Sequence, residues 1–236
     1  MLFAAGAGAP ARAQNVQCYV FEGPPPFEDL QVRVIDQFGR RTHNVRARPP
    51  NRLCVPVRVL APLSQDGGGI APTITSALPL VCYLSSDTPI TPVNRNVRVR
   101  TRFGTLEIRV LTANGGLCVP STGDPQTQRY SCFDIDPGPF SPMQVSLEDR
   151  FGLRNVTVED LGLYCVPARI RHLAPRNEET PDNRFDQTAA PQPFVCYLTE
   201  DPISIFRFFR VTTEFGSFRR RLIARENLCM RARVLP

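Results

Sequence analysis

Apolar residues recur at every second position through much of the chain. Leu30, Val32 and Val34 alternate with Gln31 and Arg33; Leu106, Ile108 and Val110 alternate with Glu107 and Arg109. Val145 and Leu147 flank Ser146, and Val156 and Val158 flank Thr157. A period of two places one set of side chains on one face of a strand, so these segments predict half-buried β-strands. Between paired runs stands a Phe-Gly dipeptide, at Phe38-Gly39, Phe103-Gly104, Phe151-Gly152 and Phe215-Gly216. Glycine supplies the positive φ of a tight hairpin turn, and the phenylalanine before it can fold back onto the core face.

The hairpin belongs to a longer unit that occurs four times. Each unit opens on a cysteine followed by an aromatic residue: Cys18-Tyr19, Cys82-Tyr83, Cys132-Phe133 and Cys196-Tyr197. Each closes on a second cysteine: Leu53-Cys54-Val55-Pro56, Leu117-Cys118-Val119-Pro120, Tyr164-Cys165-Val166-Pro167 and Leu228-Cys229-Met230-Arg231. Each unit therefore predicts three or four short strands: the Cys-aromatic strand, two hairpin strands and a strand after the closing cysteine. Cys18 to Cys132 and Cys82 to Cys196 are both separated by 114 positions, which points to a two-repeat module duplicated once. The polar segment "STGDPQTQR" joins the halves. The expected organisation is a leader over 1–14, one β module over 15–121 (units one and two) and a second over 128–236 (units three and four). The fold class is all-β: four disulfide-stapled repeats paired into two small β-sandwich or barrel-like modules.

One unit is too small to bury a stable core alone. The eight cysteines are even in number and regular in placement, which favours a disulfide framework in an oxidising compartment. Two pairings stay open: each unit closes on itself, or the two units of a module exchange partners. The expected set is Cys18–Cys54, Cys82–Cys118, Cys132–Cys165 and Cys196–Cys229. No C-x-x-C pair occurs and the two histidines stand alone, so neither a metal nor another cofactor is expected.

These anchors resemble a family of tandem repeats in exported bacterial and archaeal proteins, with units that run C-Y-x-[VIL], then V-x-[VL]-x-D-Q-F-G, then L-C-x-P. Unit one matches best, with Asp36-Gln37-Phe38-Gly39; unit three has Asp149-Arg150-Phe151-Gly152, and units two and four carry Thr101 and Thr213 in place of the aspartate. The family is a domain of unknown function, so the resemblance implies an exported β-repeat architecture and no catalytic activity. The segment "LFAAGAGAPARAQ", with Ala11-Arg12-Ala13 as an A-x-A pattern, reads as the end of a signal peptide. The expected location is extracellular, periplasmic or at the cell surface, with no transmembrane segment.

The net charge is +6 and every basic residue is arginine. The charge is diffuse and carries no nucleic-acid-binding motif. Units two and four nevertheless place arginines in matching strands, Arg98, Arg100 and Arg109 in the one and Arg207, Arg210, Arg219, Arg220 and Arg221 in the other. Both modules would present a basic surface in the same place, a possible anion site for acidic polysaccharide or another cell-envelope component. No catalytic residue is expected. His43 and His172 read as solvated strand or loop residues, and the carboxylates of unit three (Asp134, Asp136, Glu148, Asp149, Glu159, Asp160) as a solvated acidic face. Asp36 and Asp149 read as turn residues that bond nearby backbone N–H groups. The functional expectation is a non-enzymatic exported structural or adhesion-type protein, with an Arg-mediated polyanion-binding module as the alternative.

Overall fold

The computed structural model describes residues 15–22, 30–62, 79–87, 92–121, 128–173, 192–200, 206–213 and 215–236. These form the strands β1 (Asn15–Phe21), β2 (Leu30–Asp36), β3 (Gly39–Pro62), β4 (Leu80–Asp87), β5 (Arg95–Thr101), β6 (Gly104–Val110) and β7 (Gly116–Pro120). They continue as β8 (Arg129–Pro137), β9 (Met143–Asp149), β10 (Gly152–Leu173), β11 (Phe194–Glu200), β12 (Arg207–Thr213), β13 (Gly216–Arg231) and β14 (Arg233–Val234). The fold is all-β, and among the described residues no helix is long and apolar enough to cross a membrane.

Eight of these strands close a ring. β1 pairs with β3, β3 with β4, β4 with β7, and β7 with β8. β8 then pairs with β10, β10 with β11, β11 with β13, and β13 returns to β1, every contact antiparallel. Each unit supplies two neighbouring strands, one for each of its cysteines. The modules read from the sequence, 15–121 and 128–236, are thus the two halves of one barrel and not two bodies. The physical reason is edge closure: half a ring would leave two rows of unpaired backbone groups, and the complete ring leaves none. The leader 1–14 and the joint 122–127 lie outside the described residues.

The expected strand count per unit also changes. In units one, three and four the second hairpin strand runs unbroken into the closing-cysteine strand, giving β3, β10 and β13 lengths of 24, 22 and 16 residues. Unit two breaks between β6 and β7. Its strand resumes at Gly116, where φ is +116° and an added Cβ would stand 2.6 Å from the Tyr83 carbonyl oxygen, so only glycine fits.

Around the cysteines the ring strands are buried on both faces, so those segments lack polar alternation; β7 is buried at all five positions. Cysteines point into the lumen. Their neighbours, such as Tyr19, Leu53, Tyr83, Val119, Phe133 and Tyr197, point outward into two flanking cores. The four Phe-Gly hairpins cover those cores, each glycine of the turn having φ between +123° and +132°. They do so by exchange across the ring. The unit-one strand β2 pairs with β10 beyond the closing cysteine of unit three, and β9 of unit three pairs with β3 beyond the closing cysteine of unit one. Likewise β5 of unit two pairs with β14 after unit four, and the Thr212 N–H of unit four donates to Ser121 O after unit two at 3.3 Å.

Candidate functional site

All eight cysteines are oxidised, as Cys18–Cys54, Cys82–Cys118, Cys132–Cys165 and Cys196–Cys229, so each unit closes on itself. Bonded partners face each other directly in the strand register, as in Cys18↔Cys54. Between units the register is offset by two residues. This brings each disulfide against the next: Cys54 Sγ lies 3.6 Å from Cys82 Sγ, Cys118 3.8 Å from Cys132, Cys165 3.9 Å from Cys196, and Cys229 3.7 Å from Cys18. The result is a closed ring of eight sulfurs, alternately bonded and in van der Waals contact, at the centre of the barrel. Sequence spacing identifies the pairs; only ring closure brings the pairs together.

The lumen is layered. Residues two before each opening cysteine, Val16, Leu80, Tyr130 and Phe194, fill one side of the sulfur layer, and Arg231 stacks on Phe194 at 4.5 Å. Residues two before the closing cysteines, Arg52, Gly116, Leu163 and Asn227, occupy corresponding positions on the other side. There the Arg52 guanidinium makes a two-point contact with Glu226, Nη2 to Oε1 at 2.7 Å. The space left among the sulfurs is about 20 Å³, room for about one water. The site is a buried staple, not an exposed thiol centre.

The recurring Cys-aromatic and Phe-Gly motifs are two halves of one contact. Tyr19 meets Phe151 edge-to-face at 4.9 Å between ring centroids, Tyr83 meets Phe215 at 5.0 Å, Phe133 meets Phe38 at 4.9 Å and Tyr197 meets Phe103 at 5.2 Å. In every case the partner belongs to the unit across the ring. Edge-to-face pairs of this kind contribute about 0.5–1.5 kcal/mol beyond burial. The residue two before each phenylalanine accepts its backbone N–H: Asp36 and Asp149 at 2.8 Å, Thr101 and Thr213 at 3.1 Å. The turn role expected for the two aspartates holds. The same side chains also reach the opposite unit: Tyr19 OH donates to Asp149, Tyr83 OH bonds Thr213 at 2.7 Å, and Tyr197 OH bonds Thr101 at 2.9 Å. Burial pushes the Tyr197 phenol up to about 12, against the opposing effect of its Thr101 bond.

Unit three breaks the set. Phe133 carries no hydroxyl for Asp36, which pairs with Arg41 while Arg41 stacks on the Phe133 ring at 4.7 Å. Burial raises the Asp36 pKa, opposed by Arg41 and the Phe38 N–H. A carboxyl whose folded pKa is raised binds its proton more tightly in the native state. Its favourable contribution is therefore complete below the ordinary aspartate range and is lost as pH rises through the raised value. Chemical denaturation of wild type and Asp36→Asn from pH 3 to 7 should show the wild type losing ground relative to the variant as pH rises. Phe133→Tyr, which supplies the missing hydroxyl, should weaken that trend.

Other expected features change. His43 is not solvated: it is 0% exposed, with Nδ1 3.3 Å from Ser85 Oγ. The backbone of His172 pairs with Val32, and its side chain lies outside the described residues. The acidic face of unit three is not uniform. Asp149 is buried and bonded to Arg154 at 2.7 Å, Glu148 meets Arg58 at 3.1 Å, and Asp134 accepts from Thr112 at 3.1 Å. Asp136, Glu159 and Asp160 are exposed. Among the described residues no group of three or more His, Cys, Asp or Glu side chains is arranged to hold a metal.

The arginines of units two and four divide. Arg98 and Arg100 share an outer face, and Arg109 lies on the same face across the hairpin, but Glu107 stands directly opposite Arg98 and Asp136 opposite Arg109. A groove of about 1070 Å³ runs along this hairpin with charges of both signs. In unit four Arg210, Arg219 and Arg221 share the outer face, whereas Arg207 and Arg220 lie on the other. The two hairpins therefore do not present the same basic surface, because glutamate and arginine exchange at equivalent cross-strand positions.

In comparison with known proteins, no family model matches the chain, and no curated protein or solved structure matches it.

Proposed function

We propose that the protein is a non-enzymatic, exported structural or adhesion-type module of the cell envelope or extracellular space. The observation that supports this reading is the sulfur ring. All eight cysteines are consumed as disulfides buried in the lumen, and such a framework forms and persists in oxidising compartments. The signal-like segment and the resemblance to exported tandem repeats agree with it. Fractionation of the native cells, followed by maleimide labelling of the protein in each fraction, tests it. The expected result is protein in the envelope or medium with no labelled thiol before reduction. Recovery from the cytoplasm with labelled cysteines would contradict export.

A second reading, Arg-mediated binding of acidic glycans or other polyanions, is favoured by a different observation: on the unit-four hairpin Arg210 and Arg219 face each other in register. Arginine forks suit carboxylate and sulfate groups.

A further inference from the structure

The four hairpins are equivalent, so each one is a control for the others. At the central outer cross-strand position unit one places Arg33 opposite Thr42, and unit two places Arg98 opposite Glu107. Unit three there has Ser146 hydrogen-bonded to Asn155 at 2.7 Å. Unit four has Arg210 opposite Arg219, a like-charge pair within one hairpin; the others in register, Arg33 with Arg171 and Arg100 with Arg233, join strands of different units. Like charges directly opposite in a sheet are unfavourable, and neither Arg210 nor Arg219 has an acidic partner among the described residues. The next outer pair toward the open end of the hairpin is polar in the first three units, Gln31–Asn44, Asn96–Arg109 and Gln144–Thr157; in unit four it is Phe208–Arg221. Phe208 and the nearby Phe206 are each 62% exposed. Arg219 stands over the Phe208 ring at 5.2 Å and Arg221 over the Phe206 ring at 4.6 Å, so the arginines and rings form one surface. The ion pair of Arg221 with Glu22 at 3.2 Å neutralises part of it.

We infer that this face of unit four binds a strand of acidic polysaccharide. The inference rests on the polyanion reading and names its site and ligand class. Carboxylates or sulfates of the polymer bridge Arg210 and Arg219, which removes the like-charge repulsion. Sugar rings lie against Phe206 and Phe208, because the electropositive C–H face of a pyranose complements the negative face of an aromatic ring. A glycan is favoured over a nucleic acid by the exported reading, which removes the chain from the nucleic acids of the cell interior.

Calorimetric titration of the oxidised full chain tests this, with an acidic oligouronate, its neutral counterpart, linear polyphosphate and a single-stranded oligonucleotide as probes. The oligouronate is expected to bind about tenfold more tightly than polyphosphate of equal charge and to weaken as salt rises. Phe206→Ser with Phe208→Ser should erase the preference for the uronate. Arg219→Glu, which recreates the unit-two pair, should lower affinity about tenfold or more while raising Tm, a combination that misfolding does not produce. Arg98→Ser with Arg100→Ser should leave binding unchanged. Equal affinity for polyphosphate and oligouronate overturns the ring contact but leaves the polyanion reading standing. Tighter binding of the oligonucleotide overturns the glycan assignment. Absence of binding to every anion overturns both readings, and an equal loss in the unit-two variant overturns the placement in unit four.

Discussion

Full reduction of the disulfides is expected to unfold the protein at room temperature. The four cross-links close separate, non-overlapping loops, with sequence separations of 36, 36, 33 and 33. By the chain-entropy estimate each contributes roughly 3.5–4 kcal/mol, and because the loops do not overlap the contributions accumulate to roughly 15 kcal/mol. That matches or exceeds the whole stability of a typical domain, about 5–15 kcal/mol. Packing acts in the same direction. Reduction introduces eight thiol hydrogens into a lumen with about 20 Å³ to spare, and overfilled cores are destabilised. Circular dichroism with increasing dithiol should show loss of the β signal as the disulfides open. Paired replacement of Cys132 and Cys165 by alanine should cost roughly 3–5 kcal/mol, the range for loss of a native disulfide. Persistence of the full β signal in completely reduced protein would show that the hydrogen-bonded ring, not the sulfur ring, holds the fold.

Separation of the halves is expected to have an effect of similar size. Residues 15–121 alone would lose the β13 partner of β1 and the β8 partner of β7, and would carry hairpins whose partners across the ring are missing. Tyr19 would lose Phe151 and Asp149, and Tyr83 would lose Phe215 and Thr213. Each half expressed alone under oxidising conditions should therefore aggregate or assemble through its open edges. Mixing the halves, or co-expressing them, should restore a 1:1 complex with the β signal of the intact chain. A stable folded monomer of either half would mean that closure of the ring is dispensable.

Much of this architecture is legible in the sequence because it rests on local signals. The period of two marks the hairpin strands, Phe-Gly marks their turns, and the regular cysteines mark the staples. Ring closure is not legible locally, since a strand buried on both faces, such as Gly116–Pro120, has no alternation to show what each face meets. The 114-residue duplication is real in the sequence and suggests a division that the topology does not follow. The duplicated halves interlock, so the equivalence of units one and three describes two partners in exchange across one barrel. His43 illustrates a different difficulty. The register sets it opposite buried Val32 and two residues from buried Val45, so its ring lies on the core face and meets Ser85 of β4 there. The arginines were individually legible as surface residues. What distinguishes them is what stands across the strand, Glu107 in one hairpin and Arg219 in the other, and that requires the register.

The most direct measurement of the central feature is a sulfur anomalous-difference map from crystals of the oxidised protein, collected at long wavelength. The expected result is eight cysteine sulfur positions on a single closed ring, four bonded pairs separated from their neighbours by 3.6–3.9 Å. Two separate groups of disulfides, each enclosed in its own module, would contradict the closed barrel.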